Sequence, residues 1–402
     1  MTATVLSTRS FGWRLSLFFA AQFFLYGVHL PFFPVWLDWR GLTAAEIGLV
    51  AASPMFLRLF IGPTTAFLAD RSQDHRRAVM MASGCTLIAA LLLTQSYGFA
   101  AILMLATVYL VGAQTGGPIG EAIALAGVRD RGVEYGRMRL WGSASFIAAT
   151  SVGGVLLGQL GPAAVGWLVV ASAAFLMIAA WLLPSTRGVP PARGPITLAE
   201  VRTVTASPTF LLFIAAAGAV QASHALFYAF GVLHWQSLGI PTAVISILWS
   251  VSIAAEILLF AMAGRFVRLL GPLGLILTGA IAAIVRWGSM AFDPPVGALM
   301  VLQVLHALTF AATHLGAMHF IQQAVPAEQA GTAQAIYAAA TGGLITAGAM
   351  LLSGVLYGSY AGLSYLAMMA IACVGLGAGL VLKRRWIPGE AIIPKVVDRA
   401  AE

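Results

Sequence analysis

Long apolar runs follow one another along almost the whole chain, and charged residues, Pro and Gly separate them. The run TLIAALLLTQSYGFAAILMLATVYLVG, residues 86–112, lacks the alternation of polar and apolar positions that a membrane β-strand shows. A spanning helix needs about 20 apolar residues. The pattern therefore predicts an all-α integral membrane protein with twelve spanning helices. These lie near residues 13–37, 44–69, 77–96, 99–126, 138–160, 162–183, 208–235, 243–266, 271–291, 294–322, 330–357 and 360–382.

A long polar connection, residues 184–207, interrupts the pattern and is rich in Pro and Arg. It predicts an N-terminal half of six helices over residues 1–183 and a C-terminal half of six helices over residues 208–382. The connection itself is expected to be a cytoplasmic linker. Residues 383–402 are expected to form a cytoplasmic tail.

A weak internal repeat supports this division. Trp36 precedes Thr43 by seven residues where the first predicted helix gives way to the second, and Trp235 precedes Thr242 by seven where the seventh gives way to the eighth. Paired six-helix repeats are typical of secondary transporters, whose substrate sites lie at the repeat interface near the bilayer midplane. The repeat therefore predicts two pseudo-symmetric halves around a central site.

Composition excludes the soluble classes. Of the 402 residues, 60% are hydrophobic and 9% are charged, against 45–50% apolar and about 25% charged in an average soluble domain. The two cysteines, Cys85 and Cys373, lie inside apolar runs, so we expect no disulfide framework and no metal site. The apolar run after Arg14 is too long for a signal peptide and predicts a first spanning helix.

The net charge of +8 reflects membrane topology rather than binding of nucleic acid. Of the 22 basic residues, all except Arg40, Arg58 and Arg286 fall in the segments on one side of the predicted helices or in the terminal segments. Basic residues concentrate in cytoplasmic loops. The sequence therefore predicts a multi-pass protein of a bacterial inner membrane with both termini in the cytoplasm.

Several ionisable residues lie inside predicted helices, where a charge is costly and indicates function. Arg58 lies twelve residues before Asp70, about 18 Å along a helix, which places it near the middle of the membrane. Glu256, Arg286 and His306 also lie well inside predicted helices. The alternative for each is a structural ion pair or a side chain that reaches back to the surface.

Polar and aromatic residues repeat at helical spacing on four of the predicted helices. These stripes are Gln22, Tyr26 and His29; Gln221, His224 and Tyr228; Trp249, Ser252 and Glu256; and His306, Phe310 and His314. Four stripes are explained best if they line one aqueous cavity. Hydrogen bonding between helices is the alternative reading of each stripe taken alone.

The buried charges do not balance. Arg58, Arg139 and Arg286 oppose Glu121 and Glu256, which leaves one surplus positive charge. An unpaired buried cation is costly. A bound anionic substrate would neutralise it, so the charge count points to a carboxylate ligand.

The segment AFLADRSQDHRR, residues 66–77, resembles the signature between the second and third helices of the major facilitator superfamily, with Ala66 in place of the usual glycine. The resemblance implies twelve helices in two six-helix halves. It also implies a conformational role for the charged residues of this loop. These are Asp70, Arg71, Arg76 and Arg77.

A closer resemblance is to the lactose permease branch of that superfamily and to the related phenylpropionate permeases. It rests on GVHLPFFPVWL at 27–37, PIGEA at 118–122 and YGRMRLWGS at 135–143. By this resemblance Glu121 and Arg139 form a substrate-binding ion pair. Glu256, Arg286 and His306 correspond to the residues that couple substrate binding to a proton.

One position departs from the lactose permease pattern. The permease has a second carboxylate one turn after its histidine, where the segment LHALTF, residues 305–310, has Thr309. Threonine does not titrate, so Glu256 is the expected proton carrier, with His306 or His314 as the second candidate. LHALTF and Arg58 in FLRLFIGP, residues 56–63, resemble the phenylpropionate permeases more than the sugar permeases.

Together these observations predict a proton-coupled symporter of a small organic solute that works by alternating access. An aromatic carboxylic acid such as 3-phenylpropionate is the preferred substrate, with its carboxylate on Arg58, Arg139 or both. The aromatic ring is expected to face Tyr26, Phe33, Tyr228 and Trp249. A sugar or nucleoside symporter and an exporter of drug-like molecules are the alternatives.

No catalytic constellation of an intramembrane enzyme is visible in the sequence, and a sensor would need a soluble domain. The sequence contains no G-x-x-x-x-G-K-[ST] motif, so ATP-driven transport is not expected. We expect no cofactor, with the proton gradient as the energy source. The expected partners are the substrate and the lipid bilayer, with the monomer as the functional form.

Overall fold

The computed structural model describes residues 8–72, 74–184 and 197–393. In these residues the structure is helical and contains no strand, as predicted. The first six helices are α1 Thr8–Trp39, α2 Ala44–Ser72, α3 His75–Gln95, α4 Phe99–Arg131, α5 Tyr135–Leu160 and α6 Ala163–Leu182. Each corresponds to one predicted span.

The rest of the chain is more broken than predicted. Its helices are α7 Leu198–Thr205, α8 Pro208–Ala222, α9 Ala225–Ser237, α10 Thr242–Ala261, α11 Ala263–Met290, α12 Val296–Val304, α13 Thr313–Ala324, α14 Ala327–Ala338, α15 Thr346–Tyr360 and α16 Tyr365–Arg385. Two π-helical segments, Ala307–Ala312 and Ala339–Ile345, join α12 to α13 and α14 to α15, and a 3₁₀ turn, Ala361–Ser364, precedes α16.

Three predicted spans are therefore interrupted rather than continuous. The span predicted at 208–235 breaks between α8 and α9, where Ser223 and His224 turn their side chains onto the carbonyl oxygens of the preceding turn. Such local bonds compete with the helical ladder. In the span predicted at 330–357, the Thr346 hydroxyl donates to the Thr341 carbonyl five residues earlier, which is the spacing of a π-turn.

Eleven helical stretches in the described part of the chain are long and apolar enough to cross a membrane. The last of them, Ala327–Arg385, has 59 residues, about 88 Å of helical rise, and it contains the break at Ala361–Ser364. This is enough for two crossings of a hydrocarbon core about 30 Å thick. The structure thus accommodates the twelve predicted spans.

The chain divides into two compact units. Unit 1 comprises Met1–Gly194, Phe227–Ser250 and Met350–Ser359, and unit 2 comprises Pro195–Leu226, Val251–Ala349 and Tyr360–Glu402. Residues 185–196 of the predicted linker lie outside the described residues. The division into six-helix halves stays a prediction.

In unit 1, α1 is the central element because a small residue lets α5 approach it closely. A Cβ atom on Gly27 would lie 2.6 Å from the carbonyl oxygen of Phe146. The Thr150 hydroxyl lies 3.2 Å from the Gly27 carbonyl oxygen and donates to it. This contact fixes the face of α1 that carries the polar stripe of residues 22–29.

Unit 2 has its own aromatic core. Phe213 of α8 stacks on Phe320 of α13, with ring centroids 4.5 Å apart, and on Tyr337 of α14, with centroids 5.2 Å apart. Trp386, after the end of α16, closes the cluster against Phe320. This core anchors α8 and α13, which flank the polar residues of the unit.

Candidate functional site

Unit 1 encloses a cavity of about 310 Å³. Most of its wall comes from one face of α1 and one face of α2, which run in opposite directions from the turn that joins them. The lining of α1 extends from Leu25 to Leu37, about 18 Å of helical rise, and that of α2 from Ile47 to Arg58, about 16 Å. The cavity is therefore elongated, with Tyr26 and Arg58 at one end.

Arg58 provides the charge of this cavity. Among the described residues that line it, Arg58 is the only Arg, Lys, Asp or Glu. Its Nη1 atom donates to Gln114 Oε1 of α4 over 3.3 Å. Gln114 is neutral, so its amide does not compensate the charge of Arg58. Such an arginine can bind a carboxylate, because a carboxylate accepts two parallel N–H hydrogen bonds from a guanidinium group.

The remainder of the wall is mainly apolar and aromatic. Tyr26, Phe33 and Tyr228, three of the four residues expected to face an aromatic ring, are among the residues that line it. Trp249 lies elsewhere: it is buried, its ring stacks on Phe227 with centroids 4.7 Å apart, and it reaches Tyr228 at 6.3 Å. Trp249 packs beside Tyr228 and is not among the residues that line the cavity.

The predicted pair of Glu121 and Arg139 forms in unit 1. Arg139 Nε lies 4.0 Å from Glu121 Oε1, and the guanidinium carbon lies 3.8 Å above the ring of Phe23. Tyr26 is close enough to interact electrostatically with Arg58, Arg139 and Glu121. Because Glu121 already balances Arg139, Arg58 is the better candidate of the two for binding a substrate carboxylate.

The second predicted cluster lies in unit 2 and is built around Arg286 of α11. Arg286 is fully buried. Its Nη2 atom donates to Gln303 Oε1 over 2.7 Å, and its Nη1 atom donates to His306 Nδ1 over 3.1 Å and to Thr309 Oγ1 over 3.3 Å. Gly279, two turns earlier on the same face of α11, brings the helix close: a Cβ there would lie 2.9 Å from the Leu308 carbonyl oxygen.

These contacts fix the tautomer of His306. A guanidinium group can only donate, so His306 Nδ1 accepts from Arg286 and the ring proton of neutral His306 is on Nε2. That atom lies 3.6 Å from Glu256 Oε2. His306 therefore stands between Arg286 and Glu256. The predicted ring stack of His306, Phe310 and His314 is present, with centroids 5.4 and 6.4 Å apart.

Thr309 and His224 complete this cluster, and sequence reasoning assigned neither of them a role in it. His224 Nδ1 faces the carbonyl oxygens of Val220 and Gln221, so that nitrogen carries the proton of the neutral ring. The Thr309 hydroxyl lies 2.9 Å from His224 Nε2 and donates to it, while it accepts from Arg286. Thr309 thus links the guanidinium group to a second imidazole.

Ser252 belongs to the predicted stripe with Glu256, whereas Gln303 was not predicted. The Ser252 hydroxyl donates to Gln303 Oε1 over 2.8 Å, and the same oxygen accepts from Arg286. A polar residue one turn before His306 is the feature that could have identified Gln303. Gln114 could have been found in the same way, because it lies two turns before Glu121 on one face of α4.

The predicted loop residues are only partly visible. The side chains of Asp70 and Arg71 lie outside the described residues. Arg76 donates to the carbonyl oxygen of Trp181, and Arg77 lies in the first turn of α3, where its backbone N–H donates to Asp74 Oδ1 over 3.1 Å. In the described part of the chain, no group of three or more His, Cys, Asp or Glu side chains is placed to hold a metal ion.

Comparison with known proteins agrees with this architecture. The model of the family described as MFS_1 like matches residues 12–367. The probable 3-phenylpropionic acid transporter of Escherichia coli (strain K12) is 28% identical over 368 residues, which cover 90% of this chain and 94% of that protein. The maltose permease of Geobacillus stearothermophilus is 27% identical over 381 residues, which cover 92% and 94%.

A solved structure shows the same fold. The crystal structure of the nucleoside transporter NupG matches with a TM-score of 0.80 at 17% sequence identity. The match covers 93% of this chain and 99% of that one. At this identity the likeness concerns the fold alone. It confirms the predicted helical architecture of the major facilitator type.

Proposed function

The chain belongs to the MFS_1 like family, and from that premise we propose that it is a proton-coupled symporter of a small aromatic carboxylic acid. The family and the relatives are transporters, so the chain is a multi-pass membrane transporter of a small molecule and not an enzyme. The acid, exemplified by 3-phenylpropionate, is carried by alternating access. The proton gradient supplies the energy, and no cofactor takes part.

One observation carries the choice of substrate: the described lining residues of the unit 1 cavity combine one arginine and no carboxylate with a mainly apolar wall. At about 310 Å³ it is at the small end of ligand pockets. A carboxylate on Arg58 neutralises the buried charge, and Tyr26, Phe33 and Tyr228 face the aromatic part of the ligand. Glu121 and Arg139 are proposed to hold Tyr26 in place at the Arg58 end of the cavity.

The cluster of unit 2 is proposed as the coupling site. Glu256 binds and releases the proton, and His306 relays the state of Glu256 to Arg286 through its two ring nitrogens. A carboxyl group that changes its charge inside a membrane helix is the usual means of coupling transport to protons. Asp70, Arg71, Arg76 and Arg77 are proposed to stabilise one conformation of the α2–α3 loop.

The proposed site of action is the bacterial inner membrane, with both termini in the cytoplasm and the monomer as the working unit. The marked asymmetry of basic residues supports this orientation.

A sugar symporter is the second candidate, because the maltose permease is a relative at nearly the same identity. A sugar carries many hydroxyl groups, and each needs a partner when it leaves water. Among the described lining residues, the polar groups besides Arg58 are those of Tyr26, His29, Gln114 and Tyr228. This composition favours the acid.

The proposal is tested by uptake of labelled 3-phenylpropionate into proteoliposomes, with and without an inward proton gradient. The expected result is uptake that depends on the gradient, stops on addition of a protonophore and is not inhibited by excess maltose or uridine. Gradient-driven uptake of maltose or uridine without uptake of the acid would overturn the substrate assignment. Equal uptake with and without the gradient would overturn the coupling.

A further inference from the structure

His29 is a polar residue of the cavity for which the proposed function has no use. It lies on α1, three residues beyond Tyr26, and its ring lines the cavity. The ring is held by two aromatic neighbours, with its centroid 5.0 Å from that of Phe33 and 5.7 Å from that of Tyr109. The imidazole is therefore oriented by packing rather than by hydrogen bonds.

The hydrogen-bonding state of His29 distinguishes it from the two histidines of unit 2. In His224 and His306, contacts with carbonyl oxygens or with Arg286 determine which nitrogen carries the proton. The Nδ1 atom of His29 is buried and has no hydrogen-bond partner among the described residues. The protein thus leaves the tautomer of His29 open, so the ring can meet a ligand group as donor or as acceptor.

The position of His29 along the cavity defines which part of a ligand it meets. Tyr26 is close enough to Arg58 to interact with it electrostatically, and His29 lies one helical turn, about 4.5 Å, beyond Tyr26 along α1. A carboxylate bound to Arg58 therefore lies at the Tyr26 end. The aryl group then extends along α1 towards Phe33, and His29, which lies between Tyr26 and Phe33 on α1, stands beside it.

We propose that His29 recognises a hydroxyl group on the aryl ring of the transported acid. The proposal rests on the proposed function and narrows it to hydroxylated arylpropionates. A phenolic hydroxyl group is at once a donor and an acceptor, and either role matches an imidazole whose tautomer is open. An unsubstituted ring offers the partly buried imidazole no polar partner, which is unfavourable.

The test is equilibrium binding to the purified full-length protein by isothermal titration calorimetry. The probes are 3-(4-hydroxyphenyl)propionate, 3-(4-methylphenyl)propionate, which matches it in size without a hydroxyl group, and 3-phenylpropionate. We expect the wild type to bind the hydroxylated acid about tenfold more tightly than the methylated one. In His29→Phe, which keeps an aromatic ring against Phe33 and Tyr109, this ratio falls to about one.

His319→Phe is the matched control, because His319 is not among the residues that line the cavity. It is expected to keep the tenfold ratio. His29→Gln, which retains a donor and an acceptor, is expected to keep part of it and serves if His29→Phe does not fold.

A wild-type ratio of one, or a ratio that persists in His29→Phe, would overturn the role of His29 while the proposed function stands. Absence of binding by all three acids to protein that binds a sugar would overturn both.

Discussion

Units 1 and 2 each hold an arginine inside a membrane-spanning helix, and the two arginines have opposite surroundings. Arg58 is partly buried, lines a cavity and donates a hydrogen bond to the neutral amide of Gln114. Arg286 is fully buried, and its Nη1 and Nη2 atoms donate to Gln303, His306 and Thr309. The same residue type thus faces open volume in one unit and three protein acceptors in the other.

The difference indicates which of the two arginines can bind a ligand. A guanidinium group whose donors already meet protein acceptors gains little from an added carboxylate, because it must first lose those bonds. Arg58 keeps donors for an anion, and its charge has no counterion in the described part of the cavity wall. We therefore assign ligand binding to Arg58 and coupling to the cluster of Arg286, His306 and Glu256.

The largest effect is expected from Arg58→Gln. Removal of the cation leaves a substrate carboxylate without its partner, so the Kd for 3-phenylpropionate should rise about a hundredfold. Arg58→Lys keeps the charge without the paired N–H geometry, so its Kd should lie between those of the wild type and of Arg58→Gln. Equilibrium binding to the purified variants measures both. Arg137→Gln, at an exposed position, is the control and should bind as the wild type does.

Glu256→Gln tests whether the unit 2 cluster acts in proton coupling and the unit 1 cavity in substrate binding. The amide cannot release a proton, so gradient-driven accumulation should be lost while exchange of labelled for unlabelled acid remains. Accumulation and exchange in proteoliposomes measure the two activities. Arg58→Gln should lose both, because it acts on binding. Full accumulation by Glu256→Gln would refute the assignment of the proton to this residue.

A smaller effect is expected from Thr309→Val. The valine removes the hydroxyl group that accepts from Arg286 and donates to His224, and the loss of these buried hydrogen bonds should destabilise the protein by about 1–3 kcal/mol. Thr309→Ser restores the hydroxyl group and should recover most of this loss. Thermal unfolding in detergent compares them. Equal stability of the valine and serine variants would show that Thr309 has no part in the cluster.

The smallest effect is expected from Trp249→Phe. Trp249 does not line the cavity, and its buried Nε1 atom has no hydrogen-bond partner among the described residues. A phenylalanine keeps the stacking on Phe227, so the Kd should change less than about threefold. Tyr228→Ala removes part of the wall itself and should raise the Kd about tenfold. A larger change for Trp249→Phe would place the indole in the binding site.

Much of the fold follows from the sequence because the bilayer restricts the choices. Helices must satisfy their own backbone groups there, so runs of apolar residues could be assigned to spans with little ambiguity. The same restriction made Arg58, Glu256, Arg286 and His306 recognisable, because ionisable residues are rare in such runs. Each of them lies in a cavity wall or in the buried cluster of its unit.

The remaining contacts depend on helix breaks and π-helical segments, which the periodicity of polar and apolar residues does not predict. The sequence pattern put Trp249 on one face with Ser252 and Glu256, yet Trp249 packs on Phe227 in unit 1, and the other two belong to unit 2. The link from Thr309 to His224 depends on the π-helical segment Ala307–Ala312 and on the break before α9. Neither has a recognisable sequence pattern.

The central claim, that Arg58 binds the carboxylate of the substrate, is tested most directly by a thermodynamic cycle of four binding constants. The wild type and Arg58→Gln are each titrated with 3-phenylpropionate and with its neutral amide, 3-phenylpropionamide. The account predicts that the wild type prefers the acid about a hundredfold and that Arg58→Gln binds both ligands with similar, weak affinity. An undiminished preference for the acid in Arg58→Gln would contradict it.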